Sequence, residues 1–277
     1  MGLGVCKVTD GVAIKSIMRI RLDISYCGTH YHGWQKQADR RTIQGELETA
    51  LEKIFGIKCD TIGSGRTDEG VHAYNQVVHF DICELKMPCD NVVNALNFHL
   101  PKAIRVNECK VVPNDFHSLA SAKKKTYIYD MYLSDIDCPF LINRALRLNK
   151  NIDIKKMQAA AKEFVGTHDF TPFSAKGSDT KTTVRTVTEC EITKIDLNGQ
   201  KGLRLTISSS GFLYKMVRII VGAIVKAGQD KLSTLEIKNL LNSGKEWDKK
   251  VPADPCGLYL YRVYYCQLSV WNKMVFD

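Results

Sequence analysis

The chain has 277 residues, 44% hydrophobic and 25% charged, with a formal charge of +9. These values exclude a disordered or fibrous chain and leave room for one large domain or two ordinary ones. The longest apolar run, 219–225 between Arg218 and Lys226, is far shorter than the roughly 20 residues of a membrane-spanning helix, and the positive balance favours a polyanionic partner.

Residues 1–16 hold no long apolar stretch and no small-residue cleavage site. They read as a tail before the first strand, with a short added strand as the alternative. From Met18 to Tyr26, apolar Met18, Ile20, Leu22, Ile24 and Tyr26 alternate with polar residues, the period of a strand with one buried face. A loop over 28–34 follows. Thr42 then caps a helix with the stripe Ile43, Leu47, Ala50, Leu51 and Ile54, stopped at Gly56. The stretch Gly65-Arg66-Thr67-Asp68-Glu69-Gly70-Val71-His72-Ala73 leads into a strand over 76–82, a helix over 91–99 and a strand over 104–112.

After His117 and Ser118 come three lysines, Lys123, Lys124 and Lys125, and a strand from Tyr127 to Leu133 whose two apolar faces mark it as central. Ile154, Met157, Ala161, Phe164 and Val165 form a helical stripe ending at Gly166. Residues 168–183 read as a long polar loop. Strands over 184–195 and 203–208 flank the turn signal Asn198-Gly199. A helix spans 213–227, Ser233 caps another through Leu241, and a tyrosine-rich strand over 258–268 closes the chain. Helices do not alternate strictly with strands, so the expected class is α+β with mostly antiparallel sheets, in two halves split near residue 118: a half over 17–118 and a half over 119–277.

The ten cysteines include no CxxC pair, which argues against a structural zinc site and for reduced thiols in a cytoplasmic protein. No GxxxxGK[ST] or GxGxxG phosphate loop occurs, and neither a Ser–His nor a Cys–His arrangement is evident. Asp68 therefore stands without the usual companions of a cofactor or triad enzyme. Three readings stay open for it: a turn cap, a structural ion pair with an arginine, or a nucleophile or base.

The stretch over 65–73 resembles the signature of the TruA family of tRNA pseudouridine synthases, and the likeness continues in order along the chain. It includes Tyr26-Cys27-Gly28-Thr29, Gly33-Trp34-Gln35-Lys36-Gln37 and Thr42-Ile43-Gln44-Gly45-Glu46-Leu47. It continues through 122–129, 166–170, Phe212-Leu213-Tyr214-Lys215-Met216-Val217-Arg218 and 257–260. Glu69 stands where the family often has alanine, and Lys215 where histidine is common.

The resemblance implies a cofactor-independent isomerase that detaches uracil from ribose, turns it and rejoins it through carbon. The expected substrate is tRNA at positions 38–40 of the anticodon stem-loop. The fold implied is two ferredoxin- or RRM-like halves sharing one sheet around a central basic cleft, working as a homodimer without metal. By resemblance Asp68 is the essential carboxylate, Tyr127 the ring that stacks on the displaced uracil, and Arg66 the arginine that enters the space left by the flipped nucleotide. Arg218 is the expected cation for Asp68, with phosphate binding or loop capping as its alternative. Lys123, Lys124 and Lys125 fit a phosphate track, with a solvated charge run as theirs. Two rival functions stay open: an RNA-binding protein without chemistry, and a synthase of the same family with other RNA targets.

Overall fold

The computed structural model describes residues 17–177 and 180–266. The expected N-terminal tail and the end of the expected closing strand lie outside the described residues. The elements are β1 (Met18–Tyr26), α1 (Ile43–Phe55), β2 (Ile62–Gly63), β3 (His72–Ile82), α2 (Cys89–His99), β4 (Ile104–Val112) and β5 (Lys124–Leu133). They continue with β6 (Leu146–Leu148), α3 (Ile154–Lys162), β7 (Gly166–Asp169), β8 (Val184–Leu197), β9 (Gln200–Ser209), α4 (Met216–Gly228), α5 (Thr234–Ser243) and β10 (Leu258–Tyr264).

Local chemistry sets the ends of these elements. The Thr42 hydroxyl accepts the Gly45 N–H at the start of α1, and Gly56, at φ 69°, closes it in the left-handed region. Ser233 and Glu236 form a reciprocal capping box on α5. Asn198 and Gly199 both take positive φ, 52° and 79°, and turn β8 back into β9. Helix α4 starts three residues later than its apolar stripe predicts. Lys215 has φ 57°, a left-handed step that the helix cannot include.

The strands form one sheet in the order β4-β1-β3-β10-β5-β9-β8-β7, with β2 beside β3 and β6 beside β5. All pairings are antiparallel except β10 with β3 and β6 with β5. The mixed α+β class with a mostly antiparallel sheet thus matches the sequence reading, and β5 is central as its two apolar faces predict. The connection β1-α1-β2-β3-α2-β4 gives the spatial order β4-β1-β3-β2. The connection β5-α3-β8-β9-α4-β10 gives the same pattern, β10-β5-β9-β8.

One face of the sheet is apolar. Ile20, Leu22 and Ile24 of β1 and Tyr127, Tyr129 and Met131 of β5 join the buried core with Leu47, Leu51, Leu96, Met157 and Ile220 from the helices. The other face is polar. It carries the bidentate pairs Arg19–Asp81 and Arg204–Asp130, and the stacked rings of Tyr74 and Tyr259. The region read as a polar loop is partly ordered by aromatic burial. Its first residues form β7, and Phe170 and Phe173 are fully buried around a 3-10 turn over Thr171–Phe173.

The last strand makes the decisive connection. β10 inserts between β3 and β5, pairing Tyr259 with His72 and Leu260 with Ala73 on one side, and Leu260 with Tyr127 on the other. The strand that follows the Asp68 loop and the strand that carries Tyr127 are therefore neighbours of one common strand.

A buried histidine helps join the two parts of the sheet. His79 on β3 accepts the N–H of Ser118, in the connection to β5. Burial, reinforced by the charges of Arg19 and His117, pushes its imidazole down to about 4. The folded-state value lies below the unfolded one of 6.5, so the unfolded chain binds the extra proton between them. Stability is then lost as pH falls through this window, by up to about 3 kcal/mol. Urea midpoints at pH 7 and about pH 4.5 should drop steeply for the wild type and less for His79→Gln; an equal drop in both would show that His79 does not couple folding to protons.

Candidate active site

The loop between β2 and β3 is held from three sides by backbone bonds. Trp34 N–H donates to the Thr67 carbonyl at 3.0 Å and Gly70 N–H to that of Tyr31 at 3.4 Å, while Val71 N–H turns back onto the Asp68 carbonyl at 3.2 Å. Side chains finish the clamp. Gln76 Nε2 donates to the Gly65 carbonyl, Ser64 bonds Gln76, and the Tyr26 phenol meets the Thr67 hydroxyl at 2.8 Å. His72 accepts the Gly28 N–H through Nδ1 and meets the Cys256 carbonyl through Nε2. It is buried scaffold, and Asp169, which caps Thr171, is also local scaffold.

The clamp fixes one carboxylate. Asp68 Oδ2 accepts from Arg218 Nη1 at 2.8 Å, with the two side chains 22% and 14% exposed. Arg218 stands in the first turn of α4, and its Nε donates to the Ala253 carbonyl at 2.8 Å while Ala253 N–H donates back to the Arg218 carbonyl. The guanidinium is thus anchored by the chain on one edge and presented to Asp68 on the other. Among the described residues Asp68 Oδ1 has no hydrogen-bond partner. A carboxylate with one oxygen committed to an arginine and the other free, still touching solvent, is suited to attack or to accept a proton.

Tyr127 lies on the same face of the sheet, buried, with its ring edge-on to Phe212 at 5.1 Å. Burial first, and then the charges of Tyr26 and Asp68, push its phenol above the ordinary range. It stays protonated at neutral pH and offers a neutral ring and a hydroxyl, not a phenolate.

The structure brings together Asp68, Arg218 and Tyr127 from three distant parts of the sequence. Arg66 is exposed on the same loop, and its guanidinium has no partner among the described residues. The three lysines separate. Lys123 is exposed, Lys124 lies on the polar face with its ammonium 4.3 Å from the Tyr264 ring centre, and Lys125 is buried on the face of Tyr127. Phe212, Tyr26 and the Ala253 carbonyl belong to the site as well. Phe212 and Tyr26 stood in the quoted motifs, whereas no residue type could mark a carbonyl in advance. Two hollows of about 320 and 400 Å³, lined by residues such as Tyr74 and Tyr261 or Phe116 and Tyr265, do not include Asp68. Among the described residues no cluster of His, Cys, Asp or Glu could hold a metal ion.

Gly28 is where the clamp has no slack. A Cβ there would fall 2.0 Å from the Val71 carbonyl oxygen, a backbone atom with nowhere to go. Gly28→Ala should lower Tm by several degrees, since overpacking of this kind costs roughly 1–3 kcal/mol or more. A melting curve identical to wild type would mean that the loop is not held against residues 28 and 71.

Comparison with known proteins identifies the family. A family model described as tRNA pseudouridine synthase matches residues 24–119 and 160–266. The tRNA pseudouridine synthase A of Acetivibrio thermocellus is 42% identical over 246 residues, covering 89% of this chain and 99% of that one. Those of Bacillus subtilis, 39% identical over 250 residues, and of Methylacidiphilum infernorum, 38% over 251, cover 90% of this chain and 99% and 96% of their own. With Asp68, Arg218 and Tyr127 assembled at the seam of the sheet and a match over most of its length, the chain belongs to the tRNA pseudouridine synthase family of isomerases.

Proposed function

We propose that this protein converts uridine to pseudouridine in tRNA, at positions 38–40 of the anticodon stem-loop, with Asp68 as the essential carboxylate. The observation that carries the reading is the Asp68–Arg218 pair, 2.8 Å apart beside Tyr127. A lone aspartate in a turn needs no arginine from 150 residues away, whereas an aspartate that must stay charged in a half-closed site does.

The uridine is swung out of the RNA, at a cost of a few kcal/mol, and Arg66 fills the space it leaves. The free oxygen of Asp68 then acts on the ribose, by attack at C1′ or by removal of the C2′ proton. Both routes break the C1′–N1 bond without oxidation and without an organic cofactor. Tyr127 stacks on the released uracil, a contact worth roughly 1–3 kcal/mol, while the base turns to present C5. The protonated phenol relays or donates a hydrogen bond in the loss of the C5 proton.

The repeated connection pattern, β4-β1-β3-β2 and β10-β5-β9-β8, supports reading residues 17–118 and 119–277 as two ferredoxin-like halves with a basic cleft between them. Exposed Arg66 and Lys123 supply charge for phosphates, and half-buried Lys215, its ammonium 5.1 Å from the Tyr214 ring centre, lies beside Arg218 in the sequence. A homodimer belongs to the same reading, with exposed Ile136, Phe140 and Ile142 as apolar surface for a second copy. The nine described cysteines are free, in keeping with a cytoplasmic enzyme.

Purified protein incubated with tRNA should place pseudouridine at positions 38–40, and modification elsewhere would redirect the substrate assignment. Asp68→Asn should bind tRNA normally and release no tritium from uridine labelled at C5; any release above background would remove Asp68 from the chemistry. Arg218→Lys keeps the charge but cannot bridge Asp68 and the Ala253 carbonyl with one planar fork. Its turnover should fall on the order of a hundredfold, and wild-type turnover would reduce Arg218 to a structural role.

A further inference from the structure

The reading above leaves one buried charge unused. Among the described residues Lys125 is the only buried lysine or arginine, at 8% exposure. No hydrogen bond or ion pair among the described residues reaches its ammonium. Its cross-strand neighbours are Ser209 on β9 and Val263 on β10, neither of which can neutralise it. Its Nζ lies 3.6 Å from where a Cβ on Gly65 would be, so it abuts the loop that carries Arg66 and Asp68. Tyr127 is two residues along the same strand and therefore on the same face.

An uncompensated cation in such a place costs stability. A lysine meant only to touch phosphates gains nothing from enclosure, because the backbone of an RNA passes over the surface. The neighbouring Lys124 and Lys123 are better placed for that task. Enclosure is favourable where negative charge appears briefly during a reaction, since a fixed charge in a dry site acts on it more strongly than in water.

We infer that the Lys125 ammonium faces the uracil while it is detached from the ribose and offsets the negative charge the base then carries. The inference rests on the proposed uridine isomerisation at Asp68. When the C1′–N1 bond breaks, its electron pair leaves with the base, which holds one negative charge spread over N1, O2 and O4. The charge passes back to the Asp68 carboxylate when C5 bonds C1′, and the C5 proton is then lost as N1 takes one up, so the product base is neutral. Lys125 gains and loses no proton in these steps. Arg218 cannot serve in its place, because its guanidinium is already divided between Asp68 and the Ala253 carbonyl.

The charged groups on the elements around Lys125 are Arg66, Asp68 and Glu69 on the loop, Lys201 and Arg204 on β9, Arg262 on β10, Arg218 on α4, and Lys124 and Asp130 on its own strand; Tyr127 stays neutral, and the direct cross-strand partners Ser209 and Val263 do not titrate. Burial alone lowers the lysine, to about 8. Its positive form is thus present at neutral pH and lost as pH rises through about 8, and kcat/KM, which reports the free enzyme, should decline on that limb.

Lys125→Met removes the charge and keeps the length. Its Kd for tRNA should stay within about threefold of wild type, its single-turnover rate should fall on the order of 10²-fold, and its Tm should be equal or higher. Lys125→Arg should recover part of the rate and lose the decline of kcat/KM near pH 8. Should the Met variant fail to fold, the pH profile of the Arg variant decides. Weakened affinity at an unchanged single-turnover rate would make Lys125 a phosphate contact and overturn the inference, as would a wild-type rate in Lys125→Met or an unmoved pH limb in Lys125→Arg. A wild-type protein that forms no pseudouridine would overturn the functional reading itself, which is a different result from an active wild type beside an equally active Lys125→Met.

Discussion

Asp68 meets Arg218 at 2.8 Å across 150 residues of chain, and the proposed chemistry depends on that pair. Removing one partner of a buried pair costs about 3–5 kcal/mol; partial exposure of this pair reduces the figure, so its value lies more in position than in stability. Asp68 stands on a loop before β3 and Arg218 on the first turn of α4. The chain meets this constraint by fixing each partner separately. The loop is clamped through Trp34, Gln76 and Tyr26, and the guanidinium through Ala253.

The sheet exists in a form that lets these partners meet. Had β10 added to an outer edge, the Asp68 loop and Tyr127 would sit on unconnected strands. Its insertion between β3 and β5 makes one continuous surface. The helices cover the face that holds the reactive groups, and the polar face opposite is stitched by arginine–carboxylate pairs. On the proposed reading, isomerisation of a nucleoside needs no redox partner and no energy source, and a carboxylate, its cation, a ring and a buried ammonium supply the groups it calls for.

Much of this was legible in the sequence where one local rule acts alone. The alternation over Met18–Tyr26 reports a strand with one buried face, and Thr42, Gly56, Ser233 and Asn198-Gly199 mark ends and turns by their own side chains or backbone freedom. The rule fails where tertiary packing overrides it. Phe164 continues the apolar stripe of α3 into the core although the helix has ended at Lys162. Phe170 and Phe173 are core residues inside a stretch whose average polarity reads as loop. β2 and β6 are too short to leave any period at all. In the site, the family signature marks Asp68, Arg66, Tyr127 and Arg218, but three adjacent lysines read as one basic run. Only the pleat of β5 separates Lys124 on the polar face from Lys125 beside the reactive loop.

The central claim is that a tRNA uridine docks against Asp68, Tyr127 and Lys125 and not on the open polar face of the sheet. Photocrosslinking of tRNA carrying 4-thiouridine at positions 38–40, followed by identification of the modified peptides, tests it most directly. The account predicts crosslinks in residues 64–70 and 124–133. Crosslinks confined to Tyr74, Tyr261 and their neighbours on the polar face would contradict it.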